Sequence, residues 1–259
     1  MPVYRGSIFT SRIVTEIVPK IIPPVFPEET DTPTEFDFDV PGAGLIVNLD
    51  SSISESFSFS GSKITSWIDQ KNGLNFSQAI DINRPVLDAD GVLFSGAQRL
   101  ITPAFAPLAL TSAMSIYVVS RPVDILNPAY STLVSHTTGA NGYLFRYGAD
   151  PSGEARFNFP ARQDISANVT SYESGVRNSI GVIFGGGNFQ YRKNGALLGT
   201  QKNYAGSAIS ANVPTYIGST NSGAEGWVGT ISHVLIYSNR LTGQALIAVE
   251  QALNDKWGI

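Results

Sequence analysis

At 259 residues, with a formal net charge of −4, 15% charged residues and no cysteine, the chain has room for one large domain. It excludes disulfides, thiolate metal sites and a cysteine nucleophile together. Its 17 lysines and arginines are scattered rather than gathered in runs, which argues against nucleic acid as a partner.

In chain order, Arg5 and Arg12 precede Glu16 and Pro19, which interrupt any apolar run of signal-peptide length, so no leader is expected. No stretch reaches the roughly 20 apolar residues of a membrane span. Residues 1–42 differ in kind from the remainder of the chain. Ile13, Val14, Ile17, Val18, Ile21, Ile22 and Phe26 make this segment apolar, while Pro19, Pro23, Pro24 and Pro27 remove four backbone donors and favour extended geometry. The segment is too short to bury that surface alone. It reads as an anchoring arm that docks on a partner or a neighbouring subunit, with those seven side chains making the contact. Residues 28–35 form an acidic linker.

The sandwich is expected over residues 43–259. Strands are predicted near 45–49, 64–68, 92–94, 99–102, 114–120, 132–135, 143–147, 155–159 and 177–184, a regular spacing that signals an all-β fold. The serine-rich stretch 51–62 reads as a loop with a short hairpin. Asn194-Gly195 supplies the two positive φ angles of a type I′ hairpin, and Gly185-Gly186-Gly187 reads as a turn, since no helix comes after it to make a phosphate cradle. Residues 227–237 are apolar on both faces, as a central strand is: Ile231, His233, Leu235 and Tyr237 on one, Val228, Thr230, Ser232, Val234 and Ile236 on the other. A closing helix comes next, with Thr242 as its N-cap, a stripe of Leu246, Val249, Leu253 and Trp257, and Gly258 as its stop.

Two separated motifs carry a family resemblance. Gly229-Thr-Ile-Ser-His-Val-Leu-Ile-Tyr237, then Leu241-Thr242 and Lys256-Trp257, resembles the close of laminin-G-like, concanavalin A-like lectin/glucanase domains. Trp67-Ile-Asp69-Gln-Lys-Asn72-Gly73, with Arg84-Pro85 and Gly91-Val-Leu-Phe94, is similar to their opening. The resemblance implies an antiparallel two-sheet jelly-roll sandwich with a C-terminal helix, and a tendency to bind sugars rather than one function.

Against that family, Glu35-Phe-Asp37-Phe-Asp39 resembles the Glu-x-Asp-x-Glu run of laminarinase-type hydrolases, but it ends in the shorter acid and precedes the sandwich, so no catalytic residue is assigned. His136 and His233 are the only histidines, and no Gly-x-Ser-x-Gly accompanies them; His233, on the central strand, reads as a satisfied core or cleft histidine. Calcium is the one cofactor left open, through Asp81, Asn83, Asp88 and Asp90, which turn formation explains equally well. For glycan binding the candidates are Tyr143, Arg146, Tyr172, Asn221 and Trp227, with Tyr130 and Asn141 in neighbouring loops. Arm and lectin-like sandwich together resemble virion components of tailed phages. The expectation is therefore a capsid-decoration or fibre subunit at the virion surface. Its arm would hold other virion proteins or like subunits in an oligomeric assembly, while the sandwich faces host-surface glycans. A stand-alone secreted or extracellular lectin is the alternative. An enzymatic role is not expected, since a glycoside hydrolase needs an acid pair that the sequence does not place.

Overall fold

The computed structural model describes residues 40–109, 112–123, 131–137, 142–148, 153–159, 163–204 and 212–259. The arm residues Ile13, Val14, Ile17, Val18, Ile21, Ile22 and Phe26, the Glu35–Asp39 run, Tyr130 and Asn141 lie outside them.

The described residues open with β1 (Leu45–Asp50), β2 (Phe57–Ser60), β3 (Lys63–Ile68), β4 (Asn75–Ser77), β5 (Val86–Asp88), β6 (Gly91–Ser95) and β7 (Leu100–Thr102). Then come β8 (Ala113–Pro122), β9 (Ser131–Thr137), β10 (Gly142–Tyr147), β11 (Glu154–Phe159), β12 (Gln163–Thr170) and β13 (Asn178–Gly185). The end is built from β14 (Asn188–Lys193), β15 (Ala196–Asn203), β16 (Thr215–Ile217), β17 (Val228–Tyr237) and the one α-helix among the described residues, α1 (Gly243–Trp257).

Every strand pairing between these elements is antiparallel, and the pairings form two runs. The first is β15–β14–β13–β8–β17. The far edge of β17 is shared by β1, along Leu45–Asp50, and by β6, which leads on to β5. The second run is β2–β3–β4–β7–β16–β9–β10–β11–β12. A single Lys63–Val86 pairing joins the two. Between them lies the main core, to which Ile116, Val118, Val234 and Ile236 contribute from the first run and Trp67, Phe76, Phe145 and Phe157 from the second. Strand alternation turns Tyr117, Val119, Ile183, Leu235 and Tyr237 the other way, onto a second cluster closed by Val249 and Leu253 of α1. This is the expected sandwich, with the helix laid on the outer side of one sheet.

The structure corrects several local expectations. A bulge between Ile231 and His233 shifts the register of β17 against β8, so Ile231 joins Val234 and Ile236 in the main core instead of sharing a face with Leu235 and Tyr237. Thr242 sits at the N-cap, but its side chain makes no cap bond. Gly258 does end the helix in the left-handed region at φ 65°, with Gly258 and Ile259 amides both donating to Asn254 O. Asn194 and Gly195 take φ of 49° and 81°, as the hairpin needs. Strand β12 is missing from the sequence reading, because Gln163–Thr170 alternates weakly and carries Asn168 at φ 58°.

The upstream motif has a physical reason. Buried Asp69 accepts the amides of Asn48, Lys71 (3.1 Å) and Asn72 (2.7 Å), and Asn72 Nδ2 donates to Ile46 O at 2.7 Å. One carboxylate thus ties the turn after β3 to β1.

Candidate functional site

Strand alternation builds the candidate site. Along β10, Tyr143, Phe145 and Tyr147 belong to the core, which leaves Leu144 and Arg146 on the outer side of the sheet. In β11, Leu144 pairs with Asn158, so that amide lies on the same side. Over this surface the loop between β16 and β17 folds back and is pinned at both ends. Gly218 N donates to Leu133 O at 3.0 Å, Trp227 N to Gly218 O at 2.7 Å and Thr132 N to Glu225 O at 2.8 Å. Within the loop, Thr220 Oγ1 donates to Ala224 O at 2.7 Å and Ser219 Oγ to the same oxygen at 3.0 Å.

The loop sets Glu225 at φ 55°, a region that residues other than glycine seldom adopt. Held there, its carboxylate accepts from Arg146 Nη1 at 2.9 Å. Arg146 keeps only 9% of its side-chain surface exposed, against 30% for Glu225. A cavity of about 210 Å3 opens beside the pair, lined by Thr137, Asn158, Thr220, Asn221 and Ser222 among others. It brings together a guanidinium, a carboxylate, two amides and several hydroxyls, a donor and acceptor set suited to a ligand rich in hydroxyl groups.

Of the predicted glycan residues, Arg146 and Asn221 meet in this cavity and the three aromatics do not. Tyr143, Tyr172 and Trp227 are each at most 2% exposed, so none offers a ring face to a sugar. Tyr143 stacks between His136 and Phe157, at centroid distances of 5.0 and 5.8 Å. Tyr172 meets Tyr147 edge-on at 3.9 Å, and its hydroxyl bonds to Ser120 Oγ at 2.6 Å. Trp227 packs against Tyr147 at 5.7 Å and donates weakly to Thr230 O at 3.4 Å. Burial pushes the phenol pKa of both Tyr143 and Tyr172 upward, so both stay neutral. Glu225 went unnoticed in the sequence. Its signal was indirect: Arg146 is a lone charge in an otherwise core-facing strand segment and needs a partner.

Both histidines are buried. Trp257 Nε1–H donates to His233 Nδ1 at 3.2 Å, which puts the ring proton on Nε2, where it donates to Asn48 Oδ1 at 2.8 Å. Burial pulls the His233 pKa down to about 4, Asp50 pushes the other way, and Lys256 adds to the depression. Asp50 itself is held below its usual range. Burial raises it, but His233, Lys256 at 2.8 Å and two bonds from Ser52 outweigh that. His136 Nδ1 bonds with Thr215 Oγ1 at 2.8 Å.

The oxygens considered for calcium are distributed over other tasks. Asp81 bonds to Lys63 and Arg84, Asp88 Oδ1 accepts the Ala89 amide, and Asp90 bonds to Arg121 and Arg177. Among the described residues these acids gather into no group of three that could hold a metal ion.

The family model described as the concanavalin A-like lectin/glucanases superfamily matches residues 94–246. No curated protein matches the chain. Among solved structures, Trypanosoma rangeli sialidase in complex with a difluoro-KDN compound superposes with a TM-score of 0.60 at 19% identity, over 84% of this chain and 33% of that one. The same sialidase with sialic acid gives 0.59 at 19%. The binding domain of botulinum neurotoxin serotype D gives 0.56 at 12%, over 81% of this chain and 52% of that one. The chain spans about a third of the sialidase, and at such identities the likeness is one of fold. It nevertheless corrects the expectation that the chain has no enzymatic role, because the sandwich is a fold that enzymes share. With 153 of its 259 residues under the family model and both sheets in place, the chain belongs to the concanavalin A-like lectin/glucanase superfamily.

Proposed function

We propose that this sandwich binds carbohydrate in the cavity beside Arg146 and Glu225. The observation that carries the reading is Glu225 itself. A residue with a side chain occupies a left-handed position that glycine would take with less strain, and the result is a carboxylate fixed against a nearly buried guanidinium at the wall of an open, polar cavity. Planar charged and amide groups held this rigidly suit adjacent sugar hydroxyls, each of which both donates and accepts. The superfamily lends support, since it groups lectins with glucanases.

The test is a glycan and polysaccharide panel on the full chain, scoring retention and released reducing ends together. Retention of at least one glycan is expected, with Glu225→Gln and Asn221→Ala each weakening it about tenfold, or roughly 1.4 kcal/mol, and with Asn221→Ala leaving the unfolding midpoint in place. Reducing ends released by the wild type and lost in Glu225→Gln would add turnover at the same site. Retention unchanged in both variants, or no retained glycan, would sink the reading.

The virion setting is a separate proposal. It rests on the apolar, proline-rich composition of residues 1–42, and the family match lends it no support.

A further inference from the structure

A second cavity, of about 290 Å3, lies on the outer side of the other sheet, where β6, β17 and β8 run side by side. Leu93 pairs with Thr230 and Thr230 with Arg121, so these three side chains form one row across the strands and share a face. They make the floor. Asp88 and Asp90 stand on one side, Pro122 and Val123 on another.

The walls are held firmly. Asp90 accepts from Arg121 Nη1 and from Arg177 Nη2, the latter at 2.7 Å, while Ser232 Oγ donates to Asp90 O at 2.6 Å. Arg121 Nε donates to Gly175 O at 2.8 Å. Gly91, at φ 130°, lets the Asp88–Gly91 hairpin press onto β17: a Cβ there would lie 2.7 Å from Ile231 O. Asp88, Asp90 and Arg121 line the cavity, and Arg177, bonded to Asp90 from outside the lining, balances the remaining negative charge, which disfavours a phosphate-like anion and a metal cation alike.

Within this frame Arg177 Nε and Thr230 Oγ1 have no partner among the described residues, and of the two residues only Thr230 lines the cavity. Thr230 is 4% exposed. A hydroxyl buried without a partner costs about 1–3 kcal/mol. Such a cost inside an open cavity points to a ligand that supplies the missing bond.

We propose that this cavity is a second binding site, taking one neutral, hydroxyl-rich ring such as a pyranose unit. Thr230 Oγ1 and the Asp88 carboxylate bond its hydroxyls, and its C–H face lies on Leu93, Pro122 and Val123. The volume is close to the roughly 300 Å3 at which small-molecule pockets begin, which limits the occupant to about one sugar ring. The inference does not depend on the Arg146 cavity, which lies on the other sheet.

The experiment is an amide NMR titration of the full chain with the methyl glycosides of glucose, galactose, mannose and N-acetylglucosamine, and with sodium sulfate and calcium chloride as ionic probes. At least one glycoside is expected to shift the amides of Gly91, Gly175 and Thr230. Thr230→Val should weaken that binding at least tenfold while raising the unfolding midpoint, because it removes an unsatisfied hydroxyl at nearly constant shape. Thr230→Ser should keep the binding. Asn221→Ala should leave these shifts untouched, separating this site from the first cavity. The proposal is overturned if no glycoside shifts the three amides, if only an ionic probe does, or if Thr230→Val binds as the wild type does.

Discussion

His233 shows how much a single residue can be asked to do without carrying a charge. It is fully buried, both ring nitrogens are engaged, and its pKa lies near 4 where the unfolded chain has about 6.5. Between those values the unfolded chain binds a proton that the folded chain refuses, so stability must fall as pH drops through that window. The loss between pH 7 and pH 5 is expected to be about 2 kcal/mol. Asp50, with its folded pKa depressed, loses its contribution only below the ordinary carboxylate range and stays out of this interval. Urea titrations at the two pH values measure the loss, and the ring signals of His233 should show only about a tenth of the ring protonated at pH 5. A midpoint near 6.5 for that ring would contradict the buried neutral state. At this scale the sequence was partly legible. Arg146 and Asn221 were legible as polar groups beside loops, but that they share a cavity was not, because β10 and the loop before β17 meet only through the sheet pairing. Tyr143, Tyr172 and Trp227 were misplaced because aromatic residues serve a sugar platform and a core equally well, and only burial separates the two uses.

Among the elements, α1 shows where pattern reading stops. The stripe of Leu246, Val249, Leu253 and Trp257 marks the face that meets the sheet, and Val249 and Leu253 are fully buried there. Glu250 lies on that same face, four residues after Leu246, and no hydrophobic pattern would have placed a carboxylate inside. It is 4% exposed and accepts a two-pronged bond from Arg192, Nε at 2.6 Å and Nη2 at 2.7 Å, together with the Tyr117 hydroxyl at 2.9 Å. The Glu250 bonds hold the Arg192 guanidinium above its usual range, and burial followed by the Glu250 charge pushes the Tyr117 phenol well up. The helix is thereby latched to β14 and β8 at one point, which fixes its register on an apolar face that would otherwise let it slide. Replacing Glu250 with Leu strands a partly buried guanidinium and is expected to cost about 3 kcal/mol in urea unfolding. Adding Arg192→Leu should recover most of that loss, since the desolvation penalty goes with the second charge. A double variant no more stable than the single one would mean that the latch acts by some route other than paired charge.

For the molecule as a whole, the two ends of the sandwich close on each other. Strand β1 pairs with the second half of β17, while β6 and β8 flank its first half and full length, so the last strand made is the one that completes the first sheet. Such long-range pairing forms late and as a unit. The β pattern was visible from the strand spacing and the closing motif, but which strands neighbour one another was not, because adjacency in a sandwich depends on turns and bulges that leave little mark on composition. Helix α1 then covers Tyr117, Val119, Ile183, Leu235 and Tyr237. Five such side chains, at about 1.5–3 kcal/mol each, equal the whole stability of about 5–15 kcal/mol that a domain of this kind commands. A chain ending at Arg240 should therefore lose its cooperative urea transition and bind a hydrophobic dye at neutral pH, even though every strand of both sheets is still present. If that truncated chain unfolds in a single transition at the wild-type midpoint, the helix is an ornament on a self-sufficient sandwich, and the second cluster contributes far less than its burial implies.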